Sequence, residues 1–158
     1  LAARELLDAS QRRLSRGRIS PRLRRRWLAA RELLDAVNPR IQIMFHSCGG
    51  IRPYIPDLID IGLQILDPVQ PRAEGMDSFE LKRDFGERLT FHGGVDEQQV
   101  LPFGSEEDVV AETELRLRAF APGGGYICCP SHYVQADTPP ANIVAICRTA
   151  RRWQGETA

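Results

Sequence analysis

From Arg40 onward, apolar strand-like runs alternate with helix-like segments at intervals of roughly 25 to 35 residues. That alternation restricts the fold more than any other feature, because it fits successive βα units built on a parallel sheet. Four units can be counted. "IQIMFHS" precedes a helix around "YIPDLIDIG", and "LQILDPVQ" precedes one around "DSFELKRDFG". "RLTFHGGVD" is followed by a helix from about Glu106 to Phe120, and "GYICCPSH" by one from about Pro139 to Trp153. The helix ends have physical signals. Ser105 can cap the third helix, with Glu106, Glu107 and Asp108 in its first turn and Arg116 and Arg118 toward its end, both favourable to the helix dipole. Thr138 followed by Pro139 starts the last helix, where Ile143, Ile146, Cys147 and Ala150 recur at helical spacing, so Cys147 reads as a core residue.

A chain of 158 residues with 42% hydrophobic content holds one ordinary domain. Its formal charge of zero excludes a whole-chain electrostatic case for nucleic acid. Eight arginines fall between Arg12 and Arg26, but they alternate with leucines and lack a set of stacking aromatics, so they read as a solvated helix face. There is no apolar run of membrane length and no signal peptide, and the four cysteines then suggest a reducing cytoplasm in which thiols are ligands, nucleophiles or core residues. The string "LAARELLDA" occurs at residues 1–9 and again at 28–36, two copies where a solenoid needs about three. Residues 1–18 read as a helical, basic N-terminal extension, and a start at Leu1 instead of methionine reads as a fragment.

In parallel βα folds the chemistry collects beyond the carboxyl ends of the strands. All three histidines, His46, His92 and His132, fall there, with Cys48, Asp67, Gln70, Asp96, Cys128 and Cys129 close in sequence. His46 and Cys48 share strand parity, so they point to one side with α-carbons about 7 Å apart, near enough to share one zinc ion. Ile41, Ile43 and Phe45 form the opposite, apolar face, suited to packing under helices. A catalytic zinc takes three protein ligands and keeps one position open. The third candidate is His132, freed onto the loop if the strand stops at Pro130, with Cys128 or Cys129 as the alternative. Those two cysteines are adjacent and point in opposite directions, so they cannot both face one ion. Asp96 either orients a histidine, binds a polar group of a substrate or caps the following turn. The glycines of "FHGGVD" and "APGGG" lack the spacing of a nucleotide-binding loop.

Taken in order, "HSCGGIRPYIPDLIDIGLQILDPVQ", "GMDSFELKRDFGERLTFHGGVDEQQVLP" and "GGGYICCPSHYVQADTPPANI" resemble the C-terminal half of the uroporphyrinogen decarboxylase family, over about Ile19 to Trp153. The resemblance implies an α/β fold in which the four units are strands five to eight of a TIM (β/α)₈ barrel. A whole barrel takes about 250 residues, so residues 19–158 would be a partial, truncated domain. The family contains metal-free decarboxylases and corrinoid-linked methyltransferases that use zinc. His46 and Cys48 match the methyltransferase HxC motif. The third ligand there is a cysteine in a string like "SPGC", and the equivalent position in "CPSH" is His132, itself a competent ligand. The same histidine resembles that of the decarboxylases' "LGH" motif, which meets substrate carboxylates. The decarboxylases' catalytic arginine and aspartate lie in the half that is not matched.

"HSCGG" and "DPVQ" resemble the methyltransferase branch more closely. The expectation is a zinc-dependent, corrinoid-linked methyltransferase, with His46, Cys48 and His132 on zinc. His132 and Asp96 would be catalytic, Gln70 and His92 would meet substrate, and the methylcorrinoid would arrive on a corrinoid protein. The alternatives are a metal-free decarboxylase of a tetrapyrrole or other carboxylate, and a non-catalytic half-barrel that associates with a partner through its exposed sheet edges.

Overall fold

The structure, a computed structural model, describes residues 19–38 and 40–154. The extension at residues 1–18 and the first copy of the repeated string lie outside the described residues. Four strands form one sheet: β1 (Met44–His46), β2 (Ile65–Val69), β3 (Thr90–Val95) and β4 (Tyr126–Pro130). All three pairings are parallel and the spatial order follows the sequence order. A doubly wound sheet would reverse its order partway across, whereas consecutive units of a (β/α)₈ barrel do not. The order observed is that of part of a barrel wall. Among the described residues, β1 and β4 are each paired on one side only.

The crossovers are helical. Helix α1 (Pro21–Val37) leads into β1, a 3₁₀ turn at Arg52–Tyr54 and α2 (Ile55–Asp60) join β1 to β2, and α3 (Ser78–Phe85) joins β2 to β3. The short α4 (Val100–Phe103) and then α5 (Glu106–Phe120) connect β3 to β4, which α6 (Pro140–Arg152) follows. Ser20 caps α1 by accepting from the Leu23 amide at 3.2 Å. Trp27 meets Phe45 edge to face at 5.2 Å and Arg31 donates to the Gly62 carbonyl, so α1 packs on the sheet while Arg22, Arg24, Arg25 and Arg26 face solvent. At α5 the Ser105 side chain accepts from the Asp108 amide and the Asp108 carboxylate accepts from the Ser105 amide, a capping box that explains the sharp start.

Strand parity on β1 is as the sequence suggests, with Ile41, Ile43 and Phe45 half-buried and Gln42, Met44, His46 and Cys48 exposed. Helix α6 differs from expectation. It begins at Pro140, and its inward face is Asn142, Ala145, Ile146 and Thr149. Cys147 is exposed and is not a core residue. The Asn142 amide sets this rotation, donating to the carbonyls of Leu101 and Gly104 at 2.9 Å each and so turning Cys147 outward.

The larger core cluster lies between the sheet and its helices and includes Ile55, Leu66, Met76, Leu81, Phe91 and Phe120. Its aromatic layer runs from Phe91 to Phe120 (ring centroids 4.8 Å) and on to Tyr126 (5.1 Å). A second cluster gathers Val95, Leu101, Val109, Ala145 and Ile146. Among the described residues, no helix is long and apolar enough to cross a membrane.

Candidate metal centre

Three neighbouring strands place a polar row at their carboxyl ends. His46 on β1 and Asp67 on β2 are register partners, and His92 follows on β3. One Asp67 oxygen lies 2.6 Å from His46 Nδ1 and the other 2.6 Å from His92 Nδ1. A carboxylate only accepts, so each ring donates its Nδ1–H to Asp67 and turns Nε2 away from it. The role of Asp67 is invisible in sequence, because it follows from register alone.

The loop after β1 is tied down by its backbone. The Ser47 amide donates to the Asp67 carbonyl at 2.8 Å, and the Gly49 amide donates to Gln70 Oε1 at 2.6 Å. Gly49 has φ +89°, a left-handed conformation that favours glycine. A β-carbon at Gly50 would come within 2.5 Å of the Glu74 carbonyl oxygen. Gly50→Ala is therefore expected to cost about 1–3 kcal/mol, measured by urea unfolding, and to loosen the loop that carries Cys48.

Cys48 Sγ lies 3.7 Å from His46 Nε2. His132 approaches from beyond β4, where the buried Ser131 bonds the Val95 carbonyl through both its amide (2.8 Å) and its hydroxyl (3.0 Å) and so directs the next residue. The His132 and His46 rings meet edge to face at 5.6 Å. One ligand atom from each of His46, Cys48 and His132 falls within 4.8 Å of the other two, and the cluster opens to solvent.

The donor set fits zinc. Tetrahedral Zn–N and Zn–S bonds of about 2.05 and 2.3 Å put nitrogen and sulfur about 3.6 Å apart, close to the observed 3.7 Å. The Asp67 contact at His46 Nδ1 is the outer-shell carboxylate that orients a zinc-bound histidine. Two imidazoles and one thiol leave a fourth position for a ligand.

The other candidates sit elsewhere. Cys128 packs against the second core cluster, on the opposite face of β4 from Cys129. Cys129 Sγ lies 3.4 Å from His92 Nε2 and 3.6 Å from its Nδ1, so the sulfur rests over the ring instead of in line with a lone pair. Among the described residues, His132 joins His46 and Cys48, and neither of these cysteines does. Burial pushes the Cys128 thiol up and the Cys129 thiol up to about 11, the latter despite a hydrogen bond from the Gly93 backbone. Both therefore stay protonated at neutral pH. With iodoacetamide at pH 8, the exposed Cys48 and Cys147 are expected to label first, read by peptide mass mapping. Cys129 labelling should rise with pH until about 11. Because its folded value is raised, the stability linked to this thiol is present below its ordinary 9.0 and is lost as pH climbs toward about 11.

Asp96 caps the turn after β3, accepting from the amides of Gln98 (2.8 Å) and Gln99 (3.1 Å), and also pairs with Arg72. None of its hydrogen-bond partners is a histidine. Gln70 holds the Cys48 loop through Gly49, and His92 is the second ring oriented by Asp67.

Comparison with curated proteins gives no match. A family model, uroporphyrinogen decarboxylase (URO-D), matches residues 17–153, which takes in all four βα units and every residue of the polar row. This chain belongs to the uroporphyrinogen decarboxylase family.

Proposed function

We propose that the chain carries the metal-binding part of a zinc-dependent, corrinoid-linked methyltransferase. The observation that supports this most is the convergence of His46, Cys48 and His132 with Asp67 behind His46. Bound zinc would supply Lewis acidity, lowering the pKa of a thiol or polarising an ether oxygen at the open position. Asp67 keeps the His46 proton on Nδ1 so that Nε2 faces the site, and Gln70 and the Asp67 carbonyl hold the loop that presents Cys48. His92, held in the same tautomer, offers its Nε2 to a donor group of the substrate. In such a transfer the acceptor thiol would release its proton to solvent and its sulfur would take the methyl group of a methylcorrinoid. The electron pair of the cobalt–carbon bond would stay with the corrinoid, to give a thioether and a cob(I) product. A corrinoid protein is the natural carrier of that donor.

Free methylcobalamin and 2-mercaptoethanol test the reading. Thioether and cob(I)alamin should form with zinc present and not with Cys48→Ala. The partly exposed His132, at the end of "CPSH", also supports a second reading, a metal-free decarboxylase in which it meets a substrate carboxylate. Carbon dioxide released from a porphyrinogen carboxylate, equally by Cys48→Ala and wild type, would favour that one.

A further inference from the structure

The loops after β2 and β3 enclose a recess of about 120 Å³ lined by Gln70, Pro71, Arg72, Ala73, Glu97 and Gln98. Arg72 is held through Nε by the Asp96 carboxylate, which is 5% exposed against 57% for the arginine side chain. Asp96 is pinned in turn, its other oxygen accepting from the Gln98 and Gln99 amides. The guanidinium is thus anchored at one end, and its two terminal nitrogens have no protein partner among the described residues. Gln70 is divided in the same way. Its Oε1 is committed to the Gly49 amide, and its Nε2 donates to no described group. Two side chains from one loop therefore spend one end on the scaffold, keep N–H donors without a described protein partner, and line the same recess.

A planar fork of N–H donors matches a carboxylate through two parallel hydrogen bonds. We propose that this recess is a subsite for a carboxylate group of a small-molecule ligand, with Arg72 as its anchor and the Gln70 amide as a second donor. Asp96 is the positioning residue that fixes the guanidinium. Glu97 lines the same recess and opposes an anion by like charge, while Glu112, the carboxylate behind Asp96, is matched by Arg116. None of the residues that line the recess is among the three candidate metal ligands, although Gln70 also holds the Cys48 loop, so the proposal does not rest on zinc being bound there.

The test is a pair of ¹H–¹⁵N NMR titrations of the full chain without added metal, with sodium acetate and separately with sodium phosphate. Sodium chloride holds the ionic strength fixed, so that screening is constant. Acetate is expected to shift the Arg72 Nε–H and Gln70 side-chain amide signals along a saturating curve. Arg72→Gln should weaken binding at least tenfold, Arg72→Lys by less, and Glu97→Gln should tighten it. Arg72 is exposed, and unchanged amide signals away from the recess will report that each variant is folded. Shifts that never saturate, or equal affinity in Arg72→Gln, would overturn the proposal. Saturation by phosphate and not by acetate would overturn the carboxylate assignment.

Discussion

Cys48→Ala is expected to lower zinc affinity by more than the roughly 10–100-fold that loss of an outer-shell partner costs, because it removes one of the three donors that converge among the described residues. The fold should survive. Cys48 is exposed, its side chain contacts His46 across 3.7 Å, and its loop is held through backbone groups of Ser47 and Gly49. Competition against a chromophoric chelator reads the affinity, and far-ultraviolet circular dichroism reads the fold. Asp67→Ala supplies a built-in comparison, since it leaves all three donors but frees the His46 ring, so its loss should fall within the outer-shell range. Equal zinc affinity in wild type and Cys48→Ala would remove the sulfur from the site.

Phe120→Ala is expected to cost about 3–5 kcal/mol, a large share of the roughly 5–15 kcal/mol that holds a typical domain together. Phe120 is fully buried between Phe91 and Tyr126, so alanine would leave a cavity and break two aromatic contacts at once. The layer also reaches the polar end of the sheet, because the Tyr126 hydroxyl donates to the Gly93 carbonyl at 2.8 Å, one residue past His92. A shift in urea midpoint with an unchanged slope would report a loss of stability alone. A cost under about 1 kcal/mol would mean that the layer relaxes into the space, contrary to the close packing of protein interiors.

The strands and the longer helices were legible in the sequence because local signals agreed with the global pattern. At α5, the Ser105 cap, the acidic first turn and the apolar period all pointed to Glu106–Phe120, the span observed. At β1, period-two parity placed His46 and Cys48 on one face. Features that depend on how elements meet were not legible. The four-residue helix at "VLPF" is too short to show a period. The rotation of α6 is set by Asn142 reaching α4, a contact about 40 residues distant in sequence, so the exposed Cys147 could not be foreseen. Asp67 becomes a shared orienting carboxylate only when three strands align, and Arg72 becomes an anchored cation only when the β3 loop delivers Asp96 to it.

Zinc-edge X-ray absorption on the zinc-loaded chain addresses the metal assignment most directly, because it counts sulfur against nitrogen or oxygen around the ion. His46, Cys48 and His132 predict one sulfur near 2.3 Å and two imidazoles near 2.0–2.1 Å, with the sulfur contribution absent in Cys48→Ala. A shell with no sulfur, two sulfurs, or a spectrum unchanged by that substitution would contradict the site described.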